Sequence, residues 1–165
     1  MPHRMAVQLL SSAASIAPFT EEEAAALVQR MHPYTIPAGE RFLVEDEHRD
    51  TDFMMLILDG EVVVESHIAE DQVLTVNILR AGSWVGELAL LDGSPRQADC
   101  RASDDGDVLC AIISRRELLA LLETEPRLVA KLTLLLATNI SAVLRDMHQK
   151  MCRYAEIRNA IRTTL

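Results

Sequence analysis

A chain of 165 residues that is 49% hydrophobic can bury one good core, so a single domain with an appendage is expected. Its formal net charge of -9 is not the electrostatic footprint of a nucleic-acid binder. No run approaches the ~18 uninterrupted apolar residues of a membrane span, and three widely spaced cysteines, Cys100, Cys110 and Cys152, fit reduced thiols better than a disulfide framework or a zinc site.

At the N-terminus, Met1-Pro2-His3-Arg4 leads into a short apolar run, 5–10, with no longer core and no cleavage pattern, so a cytoplasmic chain is expected. Thr20-Glu21-Glu22-Glu23 ahead of Ala24 to Val28 is a capping box: the Thr20 hydroxyl can accept from the Glu23 N–H while the Glu23 carboxylate reaches back. Pro33 and Pro37 then end helical structure. From there to residue 113 the chain reads as short strands at 41–44, 53–58, 62–67, 73–79 and 108–112. Asp59-Gly60 between two of these runs predicts a hairpin, because glycine supplies the positive φ of a tight turn. Hairpins at this spacing predict a mainly β fold with flanking helices, a double-stranded β-helix (jelly-roll) barrel.

The exit is helical. Ser114-Arg115-Arg116-Glu117 is a second capping box that opens a short helix through Leu122, and Pro126 suits the first turn of a much longer one. Leu136, Ile140, Val143, Met147, Tyr154, Ile157 and Ile161 alternate spacings of four and three, broken at Lys150, and form a heptad seam. Leu128, Leu132 and Leu135 form a second stripe that packs on the barrel. About 35 helical residues at ~1.5 Å each outrun a small barrel, so a homodimer through this helix is expected. The chain divides into a barrel with N-terminal helices, 1–125, and a lid and dimerisation helix, 126–165. Arg153, Arg158 and Arg162 in the tail read as a solvated face, with no direct nucleic-acid contact.

Residues 86–98 join a helix start, an acid and an arginine most compactly. Gly86 lets the backbone approach a ligand, Glu87 can accept from a diol, and one helical turn over 88–91 leaves free N–H groups for an anion. Arg96, just past the Gly93-Ser94-Pro95 turn, brings a planar fork of donors that matches two phosphate oxygens.

This segment resembles the phosphate-binding cassette of cyclic-nucleotide-binding domains, as found in catabolite-activator-like regulators. The turns Ile36-Pro37-Ala38-Gly39-Glu40 and Leu58-Asp59-Gly60-Glu61 extend the resemblance to about 15–150. It implies a regulatory module that binds cyclic AMP or cyclic GMP, with cyclic AMP placed first. Arg96 would pair with the exocyclic phosphate oxygens and Glu87 would accept from the ribose 2'-hydroxyl. Gly86, Leu88, Ala89, Gln97 and Ala98 would give close backbone approach or N–H groups. The region expected to cap the base contains Asn139, Ser141 and Arg145 as base contacts. Regulators of this kind follow the long helix with a winged helix-turn-helix, and 151–165 is too short for one.

Two residues depart from the cassette pattern: Gln97 and Asp99 stand where small, apolar or hydroxyl residues are usual. A carboxylate at 99 that reached Arg96 would compete with phosphate. The alternative is therefore a degenerate fold that docks an unidentified downstream protein without nucleotide, and contact between Asp99 and Arg96 would distinguish the two. An enzyme is not expected. His3, His32, His48, His67 and His148 form no metal-ligand cluster, and no nucleophile signature or P-loop appears, so neither catalytic residues, metal nor cofactor is assigned.

Overall fold

The structure, a computed structural model, describes residues 1–69 and 72–164, with side chains as far as Arg158. Pro2, whose φ is preset for a first helical turn, opens helix α1 (Pro2–Ser12), which buries Ala6 and Leu10. Thr20 caps α2 (Glu21–Val28) with both halves of the box made: its hydroxyl accepts from the Glu23 N–H at 3.2 Å, and the Glu23 carboxylate accepts from the Thr20 N–H at 2.8 Å.

Eight strands follow: β1 (His32–Ile36), β2 (Arg41–Leu43), β3 (Phe53–Asp59), β4 (Val62–Ala69), β5 (Gln72–Leu79), β6 (Trp84–Val85), β7 (Asp99–Ala102) and β8 (Val108–Ser114). A short helix, α3 (Glu87–Asp92), separates β6 from β7. The strands form two four-stranded sheets, ordered β1-β8-β3-β6 and β2-β7-β4-β5, with every ladder antiparallel. The expected jelly-roll barrel is seen as two antiparallel sheets, and among the described residues no ladder closes one onto the other.

The apolar run at the centre of β3 is continuous because both of its faces are covered. Met54, Leu56 and Leu58 pack towards the helices, whereas Met55 and Ile57 join Ile36, Val62, Val85 and Val108 in a separate core. Asp59-Gly60 does not close a hairpin, since β3 and β4 lie in different sheets and the turn carries the chain from one to the other. Gly60 is required all the same: its φ is +88°, and a Cβ would stand 2.7 Å from the Asp107 carbonyl oxygen. The hairpin partner of β4 is β5.

At the exit, Ser114 caps α4 (Arg115–Thr124) by accepting from the Glu117 N–H at 3.2 Å. Only this half of the second capping box forms; the Glu117 carboxylate turns to Arg30 (3.9 Å) and Arg116 (3.4 Å). Helix α5 (Pro126–Thr164) runs for 39 residues, about 60 Å. Its base is anchored by Leu128, Val129, Leu132, Leu135 and Leu136 in the core and by Lys131, which donates to Glu23 (2.6 Å) and to the Pro18 carbonyl (3.0 Å). By length and composition alone α5 would suffice to cross a bilayer, but these base residues are buried within the domain. Farther along, Leu144, Met151, Tyr154 and Ile157 are exposed. The side chains of Ile161 and Arg162 lie outside the described ones.

Candidate ligand-binding site

Gly86 adopts φ +81° at the N-cap of α3, a conformation that strains any residue with a Cβ. A Cβ there would also stand 2.6 Å from Arg96 Nη1, so the same glycine shapes the helix start and seats the arginine. Beyond α3, the Asp92 carboxylate accepts the Ser94 N–H at 2.8 Å and folds the chain back towards Pro95 and Arg96. The Arg96 backbone is clamped to the loop after β2: its N–H donates to the Glu47 carbonyl (3.1 Å) and its carbonyl accepts from the Asp46 N–H (2.8 Å).

Arg96 is 3% exposed. Nη1 donates to the Gly86 carbonyl (2.8 Å), and Nη2 to the carbonyls of Asp50 (2.7 Å) and Phe53 (3.2 Å). The Phe53 ring lies 4.7 Å from the guanidinium carbon, within cation–π range. Nε is buried without a partner. Among the described residues no carboxylate comes within ion-pair distance of Arg96, and burial pulls its pKa down while Asp52, Glu87 and Asp50 oppose this from farther away. Glu87 is half-buried, and loss of water pushes its carboxyl pKa up, with Arg96 partly offsetting the rise.

Asp99 does not meet Arg96. Its carboxylate, 1% exposed, pairs with Arg41 Nη1 at 3.0 Å and accepts the Glu45 N–H at 2.7 Å. Side chains alternate along β7, so the next residue, Cys100, faces the cavity instead. Burial pushes the Cys100 thiol up to about 12.

These elements enclose a cavity of about 420 Å³. Gly86, Glu87, Leu88, Ala89, Arg96, Gln97 and Ala98, all the cassette residues expected from the sequence, line it together. Strand β5 contributes Leu74 to Asn77 and Leu79, and α5 closes the far side with Val143, Asp146, Met147, Lys150, Met151 and Tyr154. Asn139, Ser141 and Arg145 are not among the lining residues. At 3.6 residues per turn Ser141 and Arg145 fall on the face of α5 opposite Val143, and Asn139 sits a full turn nearer the helix base. Ser141 instead donates to the Ala137 carbonyl at 2.7 Å. The signal for the α5 residues that line the cavity is the seam itself: Val143, Met147 and Tyr154 belong to it, and Lys150, its one break, faces the cavity. Among the described residues no group of three His, Cys, Asp or Glu side chains gathers as a metal site.

The sequence profile described as cyclic nucleotide-binding domain matches residues 33–125. No curated protein matches the chain by sequence. Among solved structures, a cyclic nucleotide-binding domain from Methylobacillus flagellatus KT aligns with TM-score 0.83 and 28% identity, over 92% of this chain and 83% of that one. The catabolite activator protein of Thermus thermophilus aligns with TM-score 0.67 and 24% identity, over 89% of this chain and 62% of that one. The regulatory domain of Toxoplasma gondii PKA, solved with cAMP, gives TM-score 0.65 and 20% identity over 86% and 50%.

Proposed function

The chain belongs to the cyclic nucleotide-binding domain family, and from that premise we propose that it binds a cyclic nucleoside monophosphate in the cavity beneath α5 and acts as a regulatory module. The observation that carries this reading is Arg96: a buried guanidinium at the cavity wall, hydrogen-bonded only to backbone carbonyls, with Nε unpaired and no carboxylate within ion-pair distance among the described residues. A buried cation in that state lacks its anion, and a cyclic phosphate would supply it. Glu87, beside it, would accept from the ribose 2'-hydroxyl. Gly86, Leu88, Ala89, Gln97 and Ala98 would offer backbone approach and N–H groups around the sugar phosphate. Asp99, engaged by Arg41, leaves the nucleotide-free reading without the neutralising carboxylate it needed.

Occupancy would be read out through α5, whose lid residues touch the cavity while its base is fixed in the core. Ligand contacts that differ between two lid positions would drive the change. The exposed side chains Leu144, Met151, Tyr154 and Ile157 would meet a second copy in a homodimer, and three free thiols suit a reducing cytoplasm. Titration calorimetry with cyclic AMP and cyclic GMP tests the reading. Arg96→Ala should weaken binding by ~2–5 kcal/mol, the usual consequence of removing one partner of a buried charge pair. Absence of heat with either nucleotide at millimolar concentration would sink it.

A further inference from the structure

We infer that Phe53 is a positioning residue: its ring holds the Arg96 guanidinium at the cavity wall before an anion arrives, and so sets how fast a phosphate is captured. The role in capture rests on the cyclic-nucleotide reading above, whereas the hold on Arg96 rests on the contact alone. A guanidinium has five N–H donors. At Arg96 three of them go to main-chain carbonyls, one from Nη1 to Gly86 and two from Nη2 to Asp50 and Phe53, which leaves Nε–H and one Nη1–H for a ligand. Neutral carbonyls satisfy donors without supplying a counter-charge. The side chain that compensates the charge is Phe53, whose ring centroid lies 4.7 Å from the guanidinium carbon. An aromatic face is negative, and its attraction for a cation is strongest where water is excluded.

The ring is itself well fixed. Phe53 opens β3, where it pairs with Ser114 of β8, and the preceding carbonyl, that of Asp52, accepts the Arg115 N–H at 2.6 Å. Its side chain packs, half-buried, against the core that holds Met55, Ile57 and Val85. Phe53 is not among the residues lining the cavity, so it acts on a ligand only through Arg96. Residue 53 grips the guanidinium twice, by its carbonyl at 3.2 Å and by its ring, and a substitution removes only the second grip. Without the ring, the desolvated cation gains by swinging into the open cavity, where water solvates it. Each capture must then wait for its return, and apparent affinity falls in proportion to the fraction in place. Once bound, a phosphate holds the guanidinium itself, so the loss falls on association and spares dissociation.

The test compares two ring-free variants, Phe53→Leu and Phe53→Met, with Phe53→Tyr, which keeps the ring. Phenylglyoxal, an arginine-selective dicarbonyl, is applied to the unliganded whole chain, and peptide mass spectrometry follows Arg96 beside Arg115, whose Nε is also buried. Arg96 should label about fivefold to thirtyfold faster in both ring-free variants, the shift that a desolvated cation–π contact supports. Arg115 should keep its rate, and Phe53→Tyr should match wild type at both sites. Stopped-flow mixing with cyclic AMP and cyclic GMP, followed through Trp84 at the cavity wall, should show association slowed by the same factor and dissociation within about twofold. Wild-type labelling of Arg96 in the ring-free variants would overturn the positioning role, and so would an equal rise at Arg115, which marks general loosening of the fold. Faster dissociation at unchanged association would overturn the role in capture. Faster labelling of Arg96 in a chain whose wild type binds neither nucleotide would uphold the hold on Arg96 and overturn the cyclic-nucleotide reading.

Discussion

Asp99 lies 3.0 Å from Arg41 and turns its back on Arg96, although only two residues separate it from that arginine in the chain. The pair ties β7 to β2 at the sheet edge, and the second carboxylate oxygen fixes the Glu45 N–H at the start of the loop that clamps Arg96. A carboxylate that threatened to neutralise the cassette arginine is thus part of the frame that positions it.

Asp99→Asn should therefore cost stability without changing affinity. The variant keeps the side chain's shape but gives up the ion pair with Arg41 in a site 1% exposed, a loss of about 1–3 kcal/mol. Because the asparagine oxygen still accepts the Glu45 N–H and Asp99 makes no bond to Arg96 itself, the loop that clamps Arg96 keeps its anchor and nucleotide affinity should stay within about twofold. Urea unfolding and calorimetry on the same preparation separate the two effects. A large gain in affinity would mean that Asp99 does oppose the phosphate.

Two left-handed glycines give a matched comparison. Gly86 and Gly93 flank α3 with φ +81° and +73°, so alanine at either costs ~1–2 kcal/mol of backbone strain. Only at Gly86 does the added methyl meet Arg96, at 2.6 Å; at Gly93 nothing lies within 4 Å. Gly86→Ala should lose both stability and nucleotide binding. Gly93→Ala should lose stability alone, as measured by thermal unfolding beside titration.

Much of this was legible in the sequence where the signal is local. Thr20 and Glu23 form their box because both partners sit within one helical turn, and 86–98 comes together because its parts are close in the chain. Misreadings arose where the deciding contact is distant. Asp59-Gly60 carries a hairpin signature, yet the glycine is demanded by Asp107 in a crossing backbone, and β3 pairs with β8 instead of β4. Strand β1 was missed because Pro33 reads as a breaker, but it lies on an edge strand where a missing N–H is tolerated. The two-residue strand β6 is too short for any periodicity to show. On α5 the apolar seam was found, but whether it faces a partner or the domain's own cavity depends on how the helix is rotated, which spacing alone does not fix.

Glu87 should give stability and binding opposite pH dependences. Burial raises its pKa above 4.5, so the folded chain holds this proton more tightly than the unfolded chain. The corresponding stability is fully present below 4.5 and is lost as pH rises through the folded value. Nucleotide affinity should increase over the same interval, because the ionised carboxylate accepts from the ribose hydroxyl more strongly than the acid does. Glu87→Gln should flatten both profiles, read by unfolding and by calorimetry at stepped pH. A wild-type affinity that falls as pH rises there would exclude Glu87 as the diol acceptor.

The three thiols should differ sharply in reactivity. Burial pushes Cys100 up to about 12 and Cys110 up to about 11, which keeps both protonated at pH 8, whereas Cys152 is exposed on α5. The thiolate is the reactive species, so iodoacetamide should add one adduct quickly, at Cys152, and two more only after unfolding in urea. Mass spectrometry of the labelled peptides assigns the sites. Rapid labelling of Cys100 in the folded chain would mean that the cavity floor is open to solvent.

The two halves of α5 should respond to truncation in different ways. Leu132, 1% exposed, packs into the core shared by the helices and sheet β1-β8-β3-β6, so Leu132→Ala removes methyl groups from a filled site and should cost about 2–5 kcal/mol. Leu144, three turns on, is 67% exposed, and its loss should leave the unfolding free energy of a single chain within about 0.5 kcal/mol. If Leu144 meets a second copy, the deficit will appear in association instead. Sedimentation equilibrium should then show weaker self-association for Leu144→Ala at unchanged monomer stability, while Leu132→Ala lowers the urea midpoint at every concentration. Equal association of wild type and Leu144→Ala would remove that face of α5 from the dimer contact, and the apolar positions nearer the cavity, Met151 and Tyr154, would then be the ones to test.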